Sequence, residues 1–276
     1  MKNNMPSYAT SQQSAKTAPA SQGTGRIHFL DELRGLTLVS MILYHFMWDL
    51  AYIVGLSMPW YHSMGAYIWQ QSICWTFILL SGFCWSLGHH PFKRGLIVFF
   101  CGIVVTAVTL LLGEDYTILF GVLTLIGSCM LLMIPLDLLD RLLFFTGVTN
   151  ASFHKAARLL LTVLSFVLFW YCRHSGNLLP AGISRNLFTA YLGFPFQGFY
   201  STDYFPLLPW FFLYLTGYQL HKLCQTFHTP GTRIDAFVRV LHVPYFSFLG
   251  RHCLLIYMLH QPVLYLISIL IAGVIH

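Results

Sequence analysis

The 276-residue chain is 57% hydrophobic and only 9% charged, whereas about a quarter of the residues in a soluble domain are charged. This composition excludes an ordinary soluble domain and indicates an integral membrane protein with several spans. The 15 Lys and Arg outnumber the 9 Asp and Glu, but they form no basic stripe with interleaved aromatic residues, so we expect no nucleic-acid partner.

The first 25 residues differ in composition from the rest of the chain. Residues 1 to 25 are rich in Ser, Gln, Thr, Ala and Gly. A segment with so few apolar side chains cannot offset the entropy lost on ordering, so we expect a disordered tail. Residues 26 to 276 form the predicted membrane domain.

Apolar runs long enough to cross a hydrocarbon core of about 30 Å follow one another along this domain. The sequence therefore predicts an all-α polytopic transmembrane helix bundle with about seven spans. The approximate limits of the runs are 29 to 55, 65 to 88, 94 to 113, 116 to 136, 156 to 173, 204 to 222 and 246 to 274. Loop lysines and arginines favour the cytoplasmic side. A cytoplasmic N-terminus leaves only Arg173 and Arg185 outside, and we predict that orientation.

The first span carries ionisable side chains inside its apolar run, which reads RGLTLVSMILYHFMWDL from residue 34 to residue 50. An α-helix turns about 100° per residue, so Arg34 and His45 lie nearly on one line. Asp49 follows His45 by four residues on the same face. Ionisable groups inside a membrane are costly and usually face a protein interior or a water-filled cavity.

His45 is the predicted catalytic base of this face. The helix rise of about 1.5 Å per residue places it roughly 16 Å above Arg34, near the middle of the bilayer. A carboxylate one turn away can accept one imidazole N–H and leave the other nitrogen free as a base. We therefore assign Asp49 to orient His45. The alternative is that both residues only join helices by hydrogen bonds.

Two later stretches are unusual for membrane spans. STDYFPLLPW, residues 201 to 210, places Asp203 and Trp210 around a helix start that two prolines interrupt, which is tolerated only in contact with protein or water. An interfacial aromatic belt explains this stretch equally well. GRHCLLIYMLHQP, residues 250 to 262, buries His260 and Gln261 ahead of a proline. In the simpler interpretation, Arg251 anchors the cytoplasmic end of the last span.

The seven cysteines form no CxxC pair and show no metal-ligand spacing, so no bound metal is expected.

Five motifs together suggest a family. RIHFLDELRGLTLVSMILYHFMWDL, FILLSGFCWSL, ILFGVLTLIG, DYFPLLPWFFLYLTGYQL and FLGRHCLLIYMLHQPVL follow in this order from about residue 26 to residue 265. They resemble the heparan-alpha-glucosaminide N-acetyltransferase catalytic-domain family, especially its short bacterial members, and the first is similar to the wider transmembrane acyltransferase superfamily. His45 and Arg34 match the superfamily's first-span motif. The chain departs from the family at Thr124, where His or Gln is expected.

This resemblance implies a multi-pass acyltransferase, which we expect in a bacterial cytoplasmic membrane. It would take an acyl group from cytoplasmic acetyl-CoA or another acyl-CoA and deliver it to an amine or hydroxyl on the far side, on a carbohydrate or other polar acceptor. His45 would deprotonate the acceptor or be transiently acylated. The other predicted partner is the lipid bilayer. The sequence leaves open whether the chain forms a homo-oligomer. The predicted donor-binding residues are Arg34, Arg26, Arg94 and Arg251, and the predicted acceptor-binding residues are Asp203, Trp210, His260 and Gln261.

Two other functions explain the same buried residues. A small-molecule transporter or export component would use a His and Asp relay along a permeation path. A haem protein would use His45 and His260 as axial ligands, with the haem held non-covalently because the chain lacks a CxxCH motif.

Overall fold

Every regular element of the structure is helical. The computed structural model describes residues 28 to 144, 151 to 174, 185 to 227 and 243 to 275, and no strand occurs within these ranges. The predicted disordered tail, residues 1 to 25, and Arg26 lie outside the described residues.

Seven helices of 20 to 25 residues dominate the described ranges. The long helices are α1 His28–Tyr52, α2 Met64–Phe83, α3 Pro91–Leu112, α4 Val122–Phe144, α5 Ala151–His174, α7 Leu207–Phe227 and α9 Cys253–Ile275. Two shorter helices, α6 Leu187–Leu192 and α8 Pro244–Arg251, precede α7 and α9. Each long helix corresponds to one of the seven apolar runs.

Four of the described helices are long and apolar enough to cross a membrane by length and composition. These are α3, α4, α5 from Ser152 onward, and α9. The similarly long α1 contains Asp31, Glu32, Arg34 and Asp49, which lower its apolar content. The total of seven spans and the cytoplasmic N-terminus stay predictions.

Two predicted limits differ from the structure. The run from 246 to 274 forms two helices, because α8 ends at Arg251 and α9 begins at Cys253. This break lets α8 lie against the first half of α1 with Gly250 against the carbonyl of Asp31, where a Cβ would have no room. The run predicted from residue 116 becomes helical only at Val122, because Phe120 has a positive φ of 58°, which interrupts a right-handed helix.

The central helix of the bundle is α7, which packs against α2, α4 and α5. Gly82 of α2 and Gly217 of α7 bring these two helices into backbone contact, because a Cβ on either would clash with the other helix. Buried residues of α2, α4, α5 and α7 form the larger apolar core. A second core lies among α1, α2 and α9 and contains Leu38, Met41, Ile73 and Cys253.

Candidate active site

The packing of α1 against α9 brings two histidines together. The ring centroids of His45 and His260 are 5.1 Å apart, and the ring planes are inclined by 59°. His45 is half-buried and His260 is only 9% exposed. The structure thus places a predicted acceptor-side histidine beside the predicted catalytic one.

The hydrogen bond of His260 defines which ring nitrogen is free. His260 Nδ1 lies within hydrogen-bond distance of the backbone carbonyl of Tyr257, and a carbonyl can only accept, so Nδ1 carries the proton in a neutral ring. Nε2 therefore keeps its lone pair. It is buried and has no partner in the described part of the chain. A ring nitrogen in this state can accept a proton from a group that enters the site.

Asp49 is fully buried and is paired with α9. Gln261 Nε2 donates a hydrogen bond to Asp49 Oδ1 at 3.1 Å. The predicted hydrogen bond from His45 to Asp49 is not made within the described residues, in which the partner of the carboxylate is Gln261 of the facing helix. Asp49 Oδ2 and Gln261 Oε1 are buried without partners in the same ranges. Such atoms are costly when left unpaired, so this interior is suited to water or a polar substrate group.

Aromatic side chains cover the site at the C-terminal end of α1. The Tyr44 ring lies 5.2 Å from Tyr61 and 5.3 Å from Trp69, and Tyr61 is close enough to Asp49 for electrostatic interaction. Tyr61 belongs to the short 3-10 turn Pro59–His62 between α1 and α2. The aromatic rings of this turn and of α2 therefore bound the site on this side.

The other end of α1 brings two predicted donor-binding arginines together. Arg34 Nη1 donates to Asp31 at 3.1 Å and reaches the Gly250 carbonyl at 3.5 Å. Arg34 and Arg94 both lie within electrostatic reach of the Cys84 thiol. Arg94 Nη1 is buried without a partner in the described ranges. Two guanidinium groups at one end of the bundle suit an anionic ligand such as a phosphate.

Arg251, the third described arginine of the predicted donor site, is exposed. Its Nε donates to the Ser247 carbonyl one turn earlier in α8 at 3.3 Å. Between the arginines and the histidine pair lies the second apolar core, in which Leu38 is fully buried and Met41 is 7% exposed. The two ends of the candidate site are thus separated by apolar side chains.

Asp203 lies in the loop before α7, outside the long helices. It accepts a hydrogen bond from the backbone N–H of Val122, the first residue of α4. Burial raises the pKa of Asp203 to about 6, although this hydrogen bond acts in the opposite direction. Asp203 is also close enough to Tyr257 for electrostatic interaction, and the Tyr257 carbonyl holds His260. The predicted acceptor residue therefore lies one side chain away from the histidine pair.

Trp210 belongs to the larger core rather than to the histidine pair. Its ring is 6% exposed and lies 5.6 Å from Phe169 and 5.1 Å from Phe205. Thr124, where the chain departs from the family motif, donates from its hydroxyl to the Gly121 carbonyl at 2.6 Å at the start of α4. Both residues stabilise the helices around the site.

Sequence reasoning missed a buried ionic network that joins α4, α5 and α7. Arg158 makes a two-armed ion pair with Asp140, and its second arm, from Nη2 to Oδ2, measures 2.9 Å. The Tyr218 hydroxyl donates to Asp137 at 2.6 Å, and Lys222 lies 3.3 Å from the same carboxylate. In the sequence, Arg158 lies near the start of the run predicted from 156 to 173, and the signal for a partner was the pair of acidic residues, Asp137 and Asp140, that follows the preceding apolar run.

No group of three or more His, Cys, Asp or Glu side chains that could hold a metal ion occurs in the described ranges.

Comparison with known families gives one match, over most of the chain. The family model described as heparan-alpha-glucosaminide N-acetyltransferase, catalytic, matches residues 26 to 262. The matched range begins just before α1 and includes both histidines of the pair. No curated protein matches the chain, and no solved structure matches it.

Proposed function

Because the chain belongs to the heparan-alpha-glucosaminide N-acetyltransferase catalytic family, we propose that it transfers an acetyl or other acyl group from cytoplasmic acyl-CoA to an acceptor across the membrane. The acceptor atom is an amine or hydroxyl, most simply of a sugar. The observation that carries this proposal is the pair of His45 and His260, 5.1 Å apart, beside three buried polar atoms without partners in the described ranges.

Arg34 and Arg94 are suited to hold the phosphates of acetyl-CoA. A guanidinium binds phosphate through two parallel N–H donors, and the buried Nη1 of Arg94 has a donor to offer. The helix rise places His45 roughly 16 Å from Arg34, a distance that the arm between the phosphates and the thioester must cover. Leu38 and Met41 line this stretch and must repack when the arm enters.

In a direct transfer, an imidazole nitrogen takes the proton of the acceptor N–H or O–H. The acceptor nitrogen or oxygen then bonds to the thioester carbonyl carbon, the carbon–sulfur bond breaks, and the CoA thiolate leaves with the proton that the imidazolium returns. His260 Nε2 has the free lone pair that this step needs. Asp49 and Gln261 lie next to the pair and hold the polar groups of the acceptor.

In a two-step transfer, an unprotonated nitrogen of His45 attacks the thioester carbonyl carbon, the carbon–sulfur bond breaks, and the CoA thiolate leaves behind an acyl-imidazolium. The acceptor then attacks the acyl carbon and gives its proton to His260, the bond from the acyl carbon to His45 breaks to restore the neutral imidazole, and the proton on His260 passes to water, which balances the proton that the released thiolate takes up. The two routes give different products when no acceptor is present. Only the two-step route releases one equivalent of CoA per protein and leaves the label on the protein.

Proteoliposomes test the proposal. Radiolabelled acetyl-CoA is supplied on one side of the membrane and glucosamine on the other, with His45→Ala as the inactive variant and the exposed His62→Ala as its control. We expect acetylated glucosamine from the wild type and from His62→Ala only. Movement of unmodified glucosamine without acetyl-CoA would instead support a transporter.

A further inference from the structure

A polar recess of about 490 Å³ opens where α2 and α7 begin and α5 ends, on the predicted outer side of the membrane. Its wall includes Tyr67 of α2, Arg173 of α5, Gly193 and Phe194 after α6, and Trp210 of α7. This volume lies within the usual range for a small-molecule site of roughly 300 to 1,000 Å³. The sequence analysis used Arg173 only to orient the chain.

Arg173 is held in one position by three contacts. Its Nη2 donates to the Gln71 side-chain oxygen at 2.7 Å and to the Tyr67 hydroxyl at 3.0 Å. Its guanidinium carbon lies 5.0 Å from the Trp210 ring centroid, within the range of a cation–π interaction. These contacts fix the charge at the wall of the recess and leave the other guanidinium nitrogens without a hydrogen bond in the described part of the chain.

Within the described residues, the charge of Arg173 has no carboxylate partner. No Asp or Glu lies within ion-pair distance of it in the described ranges, and residues 175 to 184, which follow it in the chain, contain neither Asp nor Glu. On this side, Asp203 and Arg173 both lie close enough to Cys74 for electrostatic interaction. Burial raises the pKa of Asp203 to about 6, so this carboxyl is mostly ionised at neutral pH, but it does not lie within ion-pair distance of Arg173. A half-buried cation that has no carboxylate in direct contact within the described residues is costly unless an anion completes the site.

We propose that this recess binds an anionic group, a phosphate or a carboxylate, carried by the acceptor. The inference rests on the proposed function, because it names the acceptor as an anionic molecule. Arg173 supplies the free N–H donors, and the Tyr67 hydroxyl and the Trp210 ring shape the wall. Cys74 is close to both Arg173 and Asp203, and Tyr257, whose carbonyl holds His260, is close to Asp203 and Cys74, so these side chains lie between the recess and the histidine pair.

The anion site can be tested by comparing two acceptors that differ in a single group. Glucosamine and glucosamine 6-phosphate differ only in the phosphate, and a hydrogen bond to a charged group raises affinity about tenfold or more. We expect kcat/KM of the wild type to be at least about tenfold higher for the phosphorylated acceptor. Arg173→Gln abolishes this preference and Arg173→Lys keeps part of it. Arg185→Gln, on the same predicted side and exposed, keeps all of it.

Binding measurements separate this inference from the proposed function. Glucosamine 6-phosphate should raise the Tm of the purified wild type more than glucosamine does, and Arg173→Gln should remove the difference, even in a preparation that transfers no acetyl group. Equal Tm shifts for the two sugars would overturn the inference while leaving transfer intact. A higher Tm in phosphatidylglycerol nanodiscs, together with equal Tm shifts for the two sugars, would indicate that Arg173 binds a lipid headgroup. That result would also overturn the inference.

Discussion

His45 and His260 come from the first and the last long helices, yet their rings lie 5.1 Å apart in the interior of the protein. The pair depends on the packing of α1 against α9 and on the hydrogen bond from His260 to the Tyr257 carbonyl. The ring of His260 is thus fixed by its own helix, and the ring of His45 packs against it from the opposite helix. A site built from both ends of the chain forms only when the bundle has closed.

The Asp49 and Gln261 pair should act as a unit in catalysis. Asp49→Asn removes the charge and Gln261→Leu removes the donor of the 3.1 Å hydrogen bond, so each should lower the rate of transfer. We expect the double variant to be little slower than the worse single variant, with a coupling energy of about 0.5 to 3 kcal/mol. The exposed Gln70→Leu is the control, and strictly additive effects would show that the two residues act separately.

Arg94→Gln should weaken donor binding without slowing transfer at saturating donor. Loss of a charge-assisted hydrogen bond costs about 1.5 to 3 kcal/mol, so KM for acetyl-CoA should rise tenfold or more, with a smaller dependence on ionic strength. The neighbouring Lys93 is exposed and serves as the control in Lys93→Gln. Equal KM values for the two variants would remove Arg94 from the donor site.

Asp140→Leu should strongly destabilise the protein. It leaves Arg158, which is 7% exposed, as a buried charge without its ion-pair partner, and breaking such a pair costs about 3 to 5 kcal/mol. The double variant Asp140→Leu, Arg158→Met should recover much of the loss, because it removes both charges. Thermal unfolding in detergent measures this, and a double variant less stable than Asp140→Leu would contradict the account.

Asp203 should make stability depend on pH. Its pKa is raised from 3.8 to about 6 by burial, so the folded state binds a proton more tightly than the unfolded state. This stabilisation is fully present below about pH 4 and is lost as the pH rises through about 6. We therefore expect the Tm of the wild type to fall over this interval relative to that of Asp203→Asn, whose amide oxygen can still accept from Val122. Parallel Tm curves for the two proteins would refute the assignment.

Much of the fold could be predicted from apolar runs, because a helix that crosses a membrane must be long and apolar. Each of the seven runs corresponds to a long helix. The break between Arg251 and Cys253 could not be predicted, because both sides of it are compatible with a helix. The break allows the close contact between Gly250 and the backbone of α1, which is a tertiary interaction.

The candidate site could be predicted in part. Helical geometry places Arg34, His45 and Asp49 on one face, and α9 packs along that face. The pairing of Asp49 with Gln261 could not be foreseen, because periodicity within one helix does not tell which helix lies opposite. Arg158 and Arg173 stand near the two ends of the run predicted from 156 to 173, and only the structure shows which neighbouring helices supply partners to their side chains.

The most direct test of the account is the rate of acetyl transfer by His45→Ala and His260→Ala, each compared with the His62→Ala control at saturating radiolabelled acetyl-CoA and glucosamine. Loss of a general base or nucleophile should lower kcat by about 10² to 10⁴, while the thermal shift with acetyl-CoA, which reports donor binding, stays close to that of the wild type. Undiminished transfer by both variants would contradict the central claim that the histidine pair carries out the reaction.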